Sequence, residues 1–323
     1  MTTNTSNPRR RLASRRLTIT ALVLLLAAAS AISAIDVSPA ARGVAVGGPL
    51  TVHPVTSPPS SAPRTLTVAV PAGPGVVVPI LYYHYIRNIQ PTAENLLSFQ
   101  LSIPPALFAE QMALLHIEDA HPITLATLMD ALDGRRALPP RPVVLTFDDG
   151  YADFATAVQP VMARFGFVAT DFVVSGFINR PSYMTAAQIL RMEAEGMVIG
   201  AHTVHHVDLA AIPLAVARAE IVDSRSALAA LLGHPVTDFA YPYGAFDPAV
   251  AQLVQQAGFR EAVTTMRGDQ QTLNGRFELH RTRMGGSPSL ATFAAAARVP
   301  LPTAAQFAVI AFLARQSAAA RSA

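Results

Sequence analysis

The sequence predicts an α/β fold built on a mainly parallel sheet, open or closed into a barrel. Two observations carry this reading. From residue 79 onward, short apolar strands alternate with helical stretches. The stretches that bear chemistry are Asp148 with Asp149, the histidines of 202–206, and residues 241–243. Each follows the C-terminal end of an expected strand, the face on which parallel α/β barrels build their sites.

The chain opens on Arg9, Arg10, Arg11, Arg15 and Arg16 with no acidic residue among them, followed by an apolar or small stretch at 17–35. A positive flank, an apolar run and small residues near its end (Ala29-Ser30-Ala31) are the layout of a signal peptide; uncut, the run is about long enough to cross a bilayer. Residues 1–35 are therefore expected to be a signal peptide or membrane anchor, which places the rest outside the cytoplasm, extracellular or at the cell surface. Residues 36–78, rich in Pro, Gly, Ser and Thr, are expected as an extended spacer. The main folded domain is placed at 79–300 and a C-terminal tail at 301–323.

Within the domain, I-L-Y-Y-H at 80–84 is a strand with His84 at its polar end. Apolar residues at helical spacing mark helices at 104–118 and 125–132, the second capped by Thr124. After the strand at 143–147, a helix is expected over 152–165, stopped by Gly166. Then come a strand at 168–174, a helix at 186–195, a strand at 197–199 and a long helix at 214–232 ending at Gly233. A strand end at 239–240, a helix at 248–257, a strand at 260–264, an alternating segment at 277–284 and a helix at 290–297 complete the pattern. The apolar run 307–313 is too short to span a membrane.

Composition narrows the chemistry. The 323 residues are 51% hydrophobic, enough for a sizeable core, and include no Cys and no Lys. Disulfides, thiol catalysis, cysteine-ligated zinc, Schiff-base chemistry and the phosphate-loop lysine are thereby excluded. The formal charge of +3 reflects the leading arginines: without those five, 19 basic residues face 21 acidic ones, a net of −2. Nothing there supports nucleic-acid binding.

Residues 143–151 read V-V-L-T-F-D-D-G-Y. Adjacent carboxylates at a strand end repel, and a metal ion compensates by binding one and holding the other ionised; a plain D-G turn is the competing reading. The second stretch, G-A-H-T-V-H-H at 200–206, favours the metal. His202 and His206 lie four apart on one turn, imidazole is a common zinc ligand, and two histidines with a carboxylate leave a position open.

T-F-D-D-G at 146–150, H-T-x-x-H at 202–206 and F-A-Y-P-Y-G at 239–244 resemble the motifs of the polysaccharide deacetylase family (NodB-homology, carbohydrate esterase 4). The resemblance spans roughly residues 79–299. It implies a distorted (β/α) barrel with about seven parallel strands and a divalent metal, most simply Zn2+, held by Asp149, His202 and His206. It further implies Asp148 as general base and the backbone N–H of Tyr243 as an oxyanion donor. His280, in L-H-R, resembles the position of the general acid. Thr203 would steady the loop, His205 would be a supporting or solvent-facing residue, and Asp153 and Asp208 would cap helices or turns.

Two departures stand out. The arginine that opens the family's third motif is replaced by Ala240, and the tryptophan of the fourth motif is absent because the chain has none. Arg281 or Arg283 is expected to supply the missing guanidinium; alternation puts both on one side of a strand and cannot choose between them. The third motif is closer to the branch acting on extracellular poly-N-acetylglucosamine. The expected activity is metal-dependent N-deacetylation of an N-acetylated polysaccharide by a monomer. Another barrel metallohydrolase, acting on O-acetyl or phosphodiester groups, and a non-catalytic glycan-binding barrel are the competing readings.

Overall fold

The computed structural model describes residues 75–319. The expected signal peptide and all but the last residues of the spacer lie outside them. In chain order the strands are β1 (Val76–Val77), β2 (Ile80–Tyr83), β3 (Tyr85–Ile86), β4 (Ser102–Ile103), β5 (His121–Pro122), β6 (Pro142–Asp149), β7 (Thr170–Val173), β8 (Val198–Ala201), β9 (Asp238–Ala240), β10 (Glu261–Val263), β11 (Gln270–Gln271) and β12 (Thr282–Arg283). The helices are α1 (Leu96–Gln100), α2 (Pro105–Ile117), α3 (Leu125–Leu132), α4 (Gln159–Phe165), α5 (Ala186–Ala194), α6 (Leu214–Leu232), α7 (Pro248–Gln256), α8 (Leu290–Ala297) and α9 (Ala304–Ala319).

Seven parallel strands form one curled sheet in the order β10-β9-β8-β7-β6-β2-β12, with β5 added beside the start of β6. Its ends approach each other through one segment: Leu279 bridges Val263 of β10, and Thr282 and Arg283 pair with Leu81 and Tyr82 of β2. The expected barrel architecture is therefore observed. The last strand is displaced, running at 282–283 rather than over the start of the alternating segment, because Leu279 is held by backbone bonds to Ala262 and Thr264.

Strand alternation divides the core in two. Ile80, Val144, Phe172, Ala240, Val263 and Leu279 pack together with Leu125, Leu128 and Met129 of α3, while the alternate residues Leu81, Val143, Leu145, Phe147, Val173, Ile199 and Phe239 pack in the larger cluster with the helices. Strands buried on both faces must be apolar throughout, which is why β6 reads V-V-L-T-F. Gly200 of β8 is needed for this packing: a Cβ there would sit 2.5 Å from the Phe172 ring.

Caps set the helix limits as expected. The side chain of Thr124 accepts from Thr127 N, Thr185 forms a capping box with Gln188, and Gly166 and Gly233 close α4 and α6 in the left-handed region. The helix expected over 152–165 is observed, with a π-turn at Phe154–Val158 inserted in it ahead of α4. Pro160 has no N–H to give, and the preceding Gln159 N–H reaches back five residues to Phe154 O.

Two domain limits move outward. β1 pairs antiparallel with β11 and Val78 is fully buried, so the end of the expected spacer belongs to the fold. The expected tail contains α9, whose Ile310 and Ala314 are buried in the larger cluster. No helix among the described residues is long and apolar enough to cross a membrane.

Candidate metal centre and catalytic cleft

On β6, Val144, Thr146 and Asp148 share the inner side of the sheet by alternation. Asp149 should point the other way, but its φ of 80° turns the chain as the strand ends. Its Oδ1 lies 3.5 Å from His202 Nε2 and 3.2 Å from His206 Nε2. One ligand atom from each of the three residues falls within 4.8 Å of the others.

The histidines are positioned by their neighbours. His202, at the end of β8, is buried, and its Nδ1 donates to Ala240 O at 2.7 Å, which leaves the Nε2 lone pair facing Asp149. Burial lowers the His202 pKa to about 4 against the pull of Asp148 and Asp149, so the ring is a neutral donor. Thr203 and His206 both adopt positive φ, and Thr203 Oγ1 accepts from His206 N at 3.0 Å, closing the turn that brings His206 back over the site.

Burial works against ionising Asp149, yet the imidazoles of His206, His202 and His84 beside it hold its carboxyl well below the usual range. Asp149 Oδ1 is buried and accepts no hydrogen bond of good geometry. A buried carboxylate oxygen facing the His202 lone pair and the His206 ring nitrogen, with no hydrogen bond of its own, is suited to a positive centre among them. The donor set of two nitrogens and one oxygen fits a divalent cation of the zinc type.

Asp148 has a different environment. Arg281 grips it in a two-pronged pair, Nη1 to Oδ1 and Nη2 to Oδ2, both at 2.8 Å. Arg281 is itself held by Thr264 O at 2.7 Å, by Thr146 Oγ1 at 3.2 Å and by the Tyr82 ring, whose centroid lies 4.3 Å from the guanidinium carbon. Burial alone would raise the Asp148 pKa; the charge and hydrogen bonds of Arg281 outweigh it and keep the carboxylate ionised. Arg281, then, rather than the exposed Arg283, takes the place left vacant by Ala240. The carbonyl of Ala240 serves the site in another way, by orienting His202.

Asp148, Asp149, His202 and His206 line one cleft of about 600 Å3, joined by His84, Tyr243 and Arg283. Ile80, Tyr82 and His84 alternate onto one side of the chain, which aims His84 into the cleft. His84 Nδ1 is buried without a partner, and burial lowers the pKa of the ring against the raising influence of Asp148 and Asp149. Tyr243 is 65% exposed at the cleft mouth, with its ring centroid 4.6 Å from that of His206. Its φ of 59° follows from the tight turn in which Gly244 N bonds Tyr241 O. Gly244 has a φ of +71°, and a Cβ on it would meet Thr265 Oγ1 at 2.1 Å, so only glycine fits.

His280 does not line the cleft. Leu279 packs in the inner core and Arg281 turns in to Asp148, so the residue between them faces away. The His280 backbone bonds both ends of the Gln271 amide, and its ring lies against Gly268. His205 is a supporting residue: its Nδ1 meets Glu220 Oε1 at 2.7 Å. Asp208 caps the turn at Leu209–Ala211 as expected. Asp153 does not cap a helix; its Oδ2 accepts from Ile86 N at 2.8 Å, and burial raises its pKa to about 6.

Glu220 is the residue that motif reading passes over. From α6 its Oε2 accepts both Val204 N and His205 N at 2.9 Å, pinning the loop between His202 and His206. The signal for it is helical: Glu220 lies on the buried stripe of Ala217, Ile221, Ser224 and Leu228, where an acid is unexpected without a polar partner.

Residues 135–262 match the polysaccharide deacetylase family. The chain is 28% identical over 220 residues to "Putative polysaccharide deacetylase YxkH" of Bacillus subtilis (strain 168), covering 68% of this chain and 75% of that protein. It is 34% identical over 82 residues to poly-β-1,6-N-acetyl-D-glucosamine N-deacetylase of Escherichia coli K12, a match covering 25% of this chain and only 12% of that enzyme. Among solved structures, the Streptococcus pyogenes deacetylase PplD in complex with acetate superposes with a TM-score of 0.64 at 27% identity, over 71% of this chain and all of that one.

Proposed function

Because this chain carries a domain of the polysaccharide deacetylase family, we propose that it is a metal-dependent hydrolase removing N-acetyl groups from an N-acetylglucosamine-containing polysaccharide outside the cytoplasm. The observation that carries the reading is the division of labour between two adjacent carboxylates. Asp149 faces His202 and His206, while Asp148 is fixed by Arg281 in the same cleft.

Asp149, His202 and His206 would hold the cation, most simply Zn2+. Bound there, it supplies Lewis acidity that polarises a carbonyl and acidifies water. Asp148 is the base: Arg281 holds it ionised and fixes the plane of its carboxylate, so it takes a proton from the attacking water without reorienting. The backbone N–H of Tyr243 stabilises the charge that develops on the amide oxygen. The departing amine needs a proton, and His84, the cleft imidazole outside the ligand set, is proposed in place of His280 to relay to it the proton that Asp148 takes from the water. The half-exposed Tyr243 ring offers a face for a sugar. The extracellular setting is supported by the arginine-led apolar stretch at 17–35, and the glycan assignment by the short match to the Escherichia coli enzyme.

The test is release of acetate and of free amine from a panel of N-acetylated oligosaccharides, with and without chelator. Asp148→Asn should retain the metal and lose about 10²–10⁴-fold in rate, whereas His202→Ala should lose the metal. Acetate released without a matching amine would overturn the amide assignment.

A further inference from the structure

A second cavity, of about 510 Å3, adjoins the metal cleft, and the two share Tyr82, Thr265 and Arg283 in their walls. Its size falls in the roughly 300–1,000 Å3 span of small-ligand sites. Four charged side chains line it: Arg267, Asp269, Arg281 and Arg283. Two of these are neutralised within the fold, Arg281 by Asp148 and Asp269 by Arg298. Arg267 and Arg283 are exposed, and neither meets a carboxylate among the described residues. The cavity therefore carries two uncompensated positive charges, with the hydroxyls of Thr282 and Thr292 also in its wall.

Guanidinium groups free of carboxylates beside a substrate cleft are suited to carboxylate or phosphate oxygens, which they can grip in pairs. We propose that this cavity is a subsite for an anionic substituent, a carboxylate or phosphate, on the sugar next to the one that is deacetylated. The adjacency follows from the shared wall, since Arg283 borders both spaces. The inference deepens the reading of the cleft as a polysaccharide deacetylase and rests on it: the polymer would be an acidic one.

The test compares acetate release by the full metal-loaded chain from three N-acetylated oligosaccharides of one length. One carries a carboxylate on alternate sugars, one is its methyl ester, and one carries a phosphate in place of the carboxylate. The acid should have the lower KM, and added salt should erode its advantage. Arg267→Gln, which alters only the second cavity, should raise KM for the acid about tenfold and leave kcat and the ester unchanged. The phosphate arm shows which anion fits better. Equal KM for acid and ester in the unaltered chain, or the same loss on both in Arg267→Gln, would overturn the subsite. If no oligosaccharide is turned over, the deacetylase reading fails, and calorimetric titration of the acid and its ester into both proteins still decides the subsite: equal affinities would end it.

Discussion

Replacing Arg281 with Met removes a cation from a side chain that has no solvent exposure and leaves Asp148 buried beside an apolar chain. Two charge-assisted hydrogen bonds at 2.8 Å are lost, each worth about 1.5–3 kcal/mol. Stranding one partner of a buried pair typically costs about 3–5 kcal/mol, a large part of the roughly 5–15 kcal/mol that holds a domain folded. The carboxyl escapes part of that cost by taking a proton. In the unaltered protein its folded pKa is depressed, so the stability it contributes is present above the unfolded carboxyl pKa and lost as pH falls. In Arg281→Met burial is opposed only by the weaker pull of His202 and His84, so the pKa rises and less of the base is ionised at neutral pH. Activity at pH 7 should fall by about 10²–10⁴-fold and recover as pH rises, with the acid limb of the kcat profile displaced upward. Arg281→Lys should fall between the two, keeping the charge but losing the two-pronged grip. Urea unfolding at pH 7 and the pH profile of acetate release measure both effects. An unchanged acid limb in Arg281→Met would refute the assignment of Arg281 as the group that keeps Asp148 ionised.

Three further outcomes are expected. Glu220→Gln leaves one oxygen where two now accept from the 204–205 backbone and His205; metal affinity should weaken about 10–100-fold, and an unaltered Kd in chelator competition would show that the loop is held without it. His84→Gln should lower kcat while leaving metal content intact, and a normal kcat would remove His84 from the reaction. Glu261, buried beside Asp238, has its pKa raised to about 10 from an ordinary 4.5. The folded state thus keeps a proton that the unfolded state releases, and stability should fall as pH climbs between those values, by at most about 1.4 kcal/mol per unit. Glu261→Gln should flatten that slope in urea midpoints taken at pH 6 and pH 9; an equal slope in both proteins would contradict it.

The residues of the candidate metal site were legible in the sequence because each of the two motifs is local. Two carboxylates end one strand and two histidines lie four apart after another, so each half can be read from its own turn, while the sheet order β6-β7-β8 brings the two strand ends to one point. Helix limits were legible because Thr124, Gly166 and Gly233 act on backbone within a few residues of themselves. What tertiary structure alone decided lies across the barrel. Alternation could not separate Arg281 from Arg283, and it is the displaced last strand, with Leu279 held by β10, that turns Arg281 inward to Asp148 and His280 away. Glu220 reaches its loop from a helix that begins after the motif has ended. Partners 133 residues apart in the chain, as Asp148 and Arg281 are, are chosen by the closing register of the sheet, and that register depends on packing no short stretch of sequence contains.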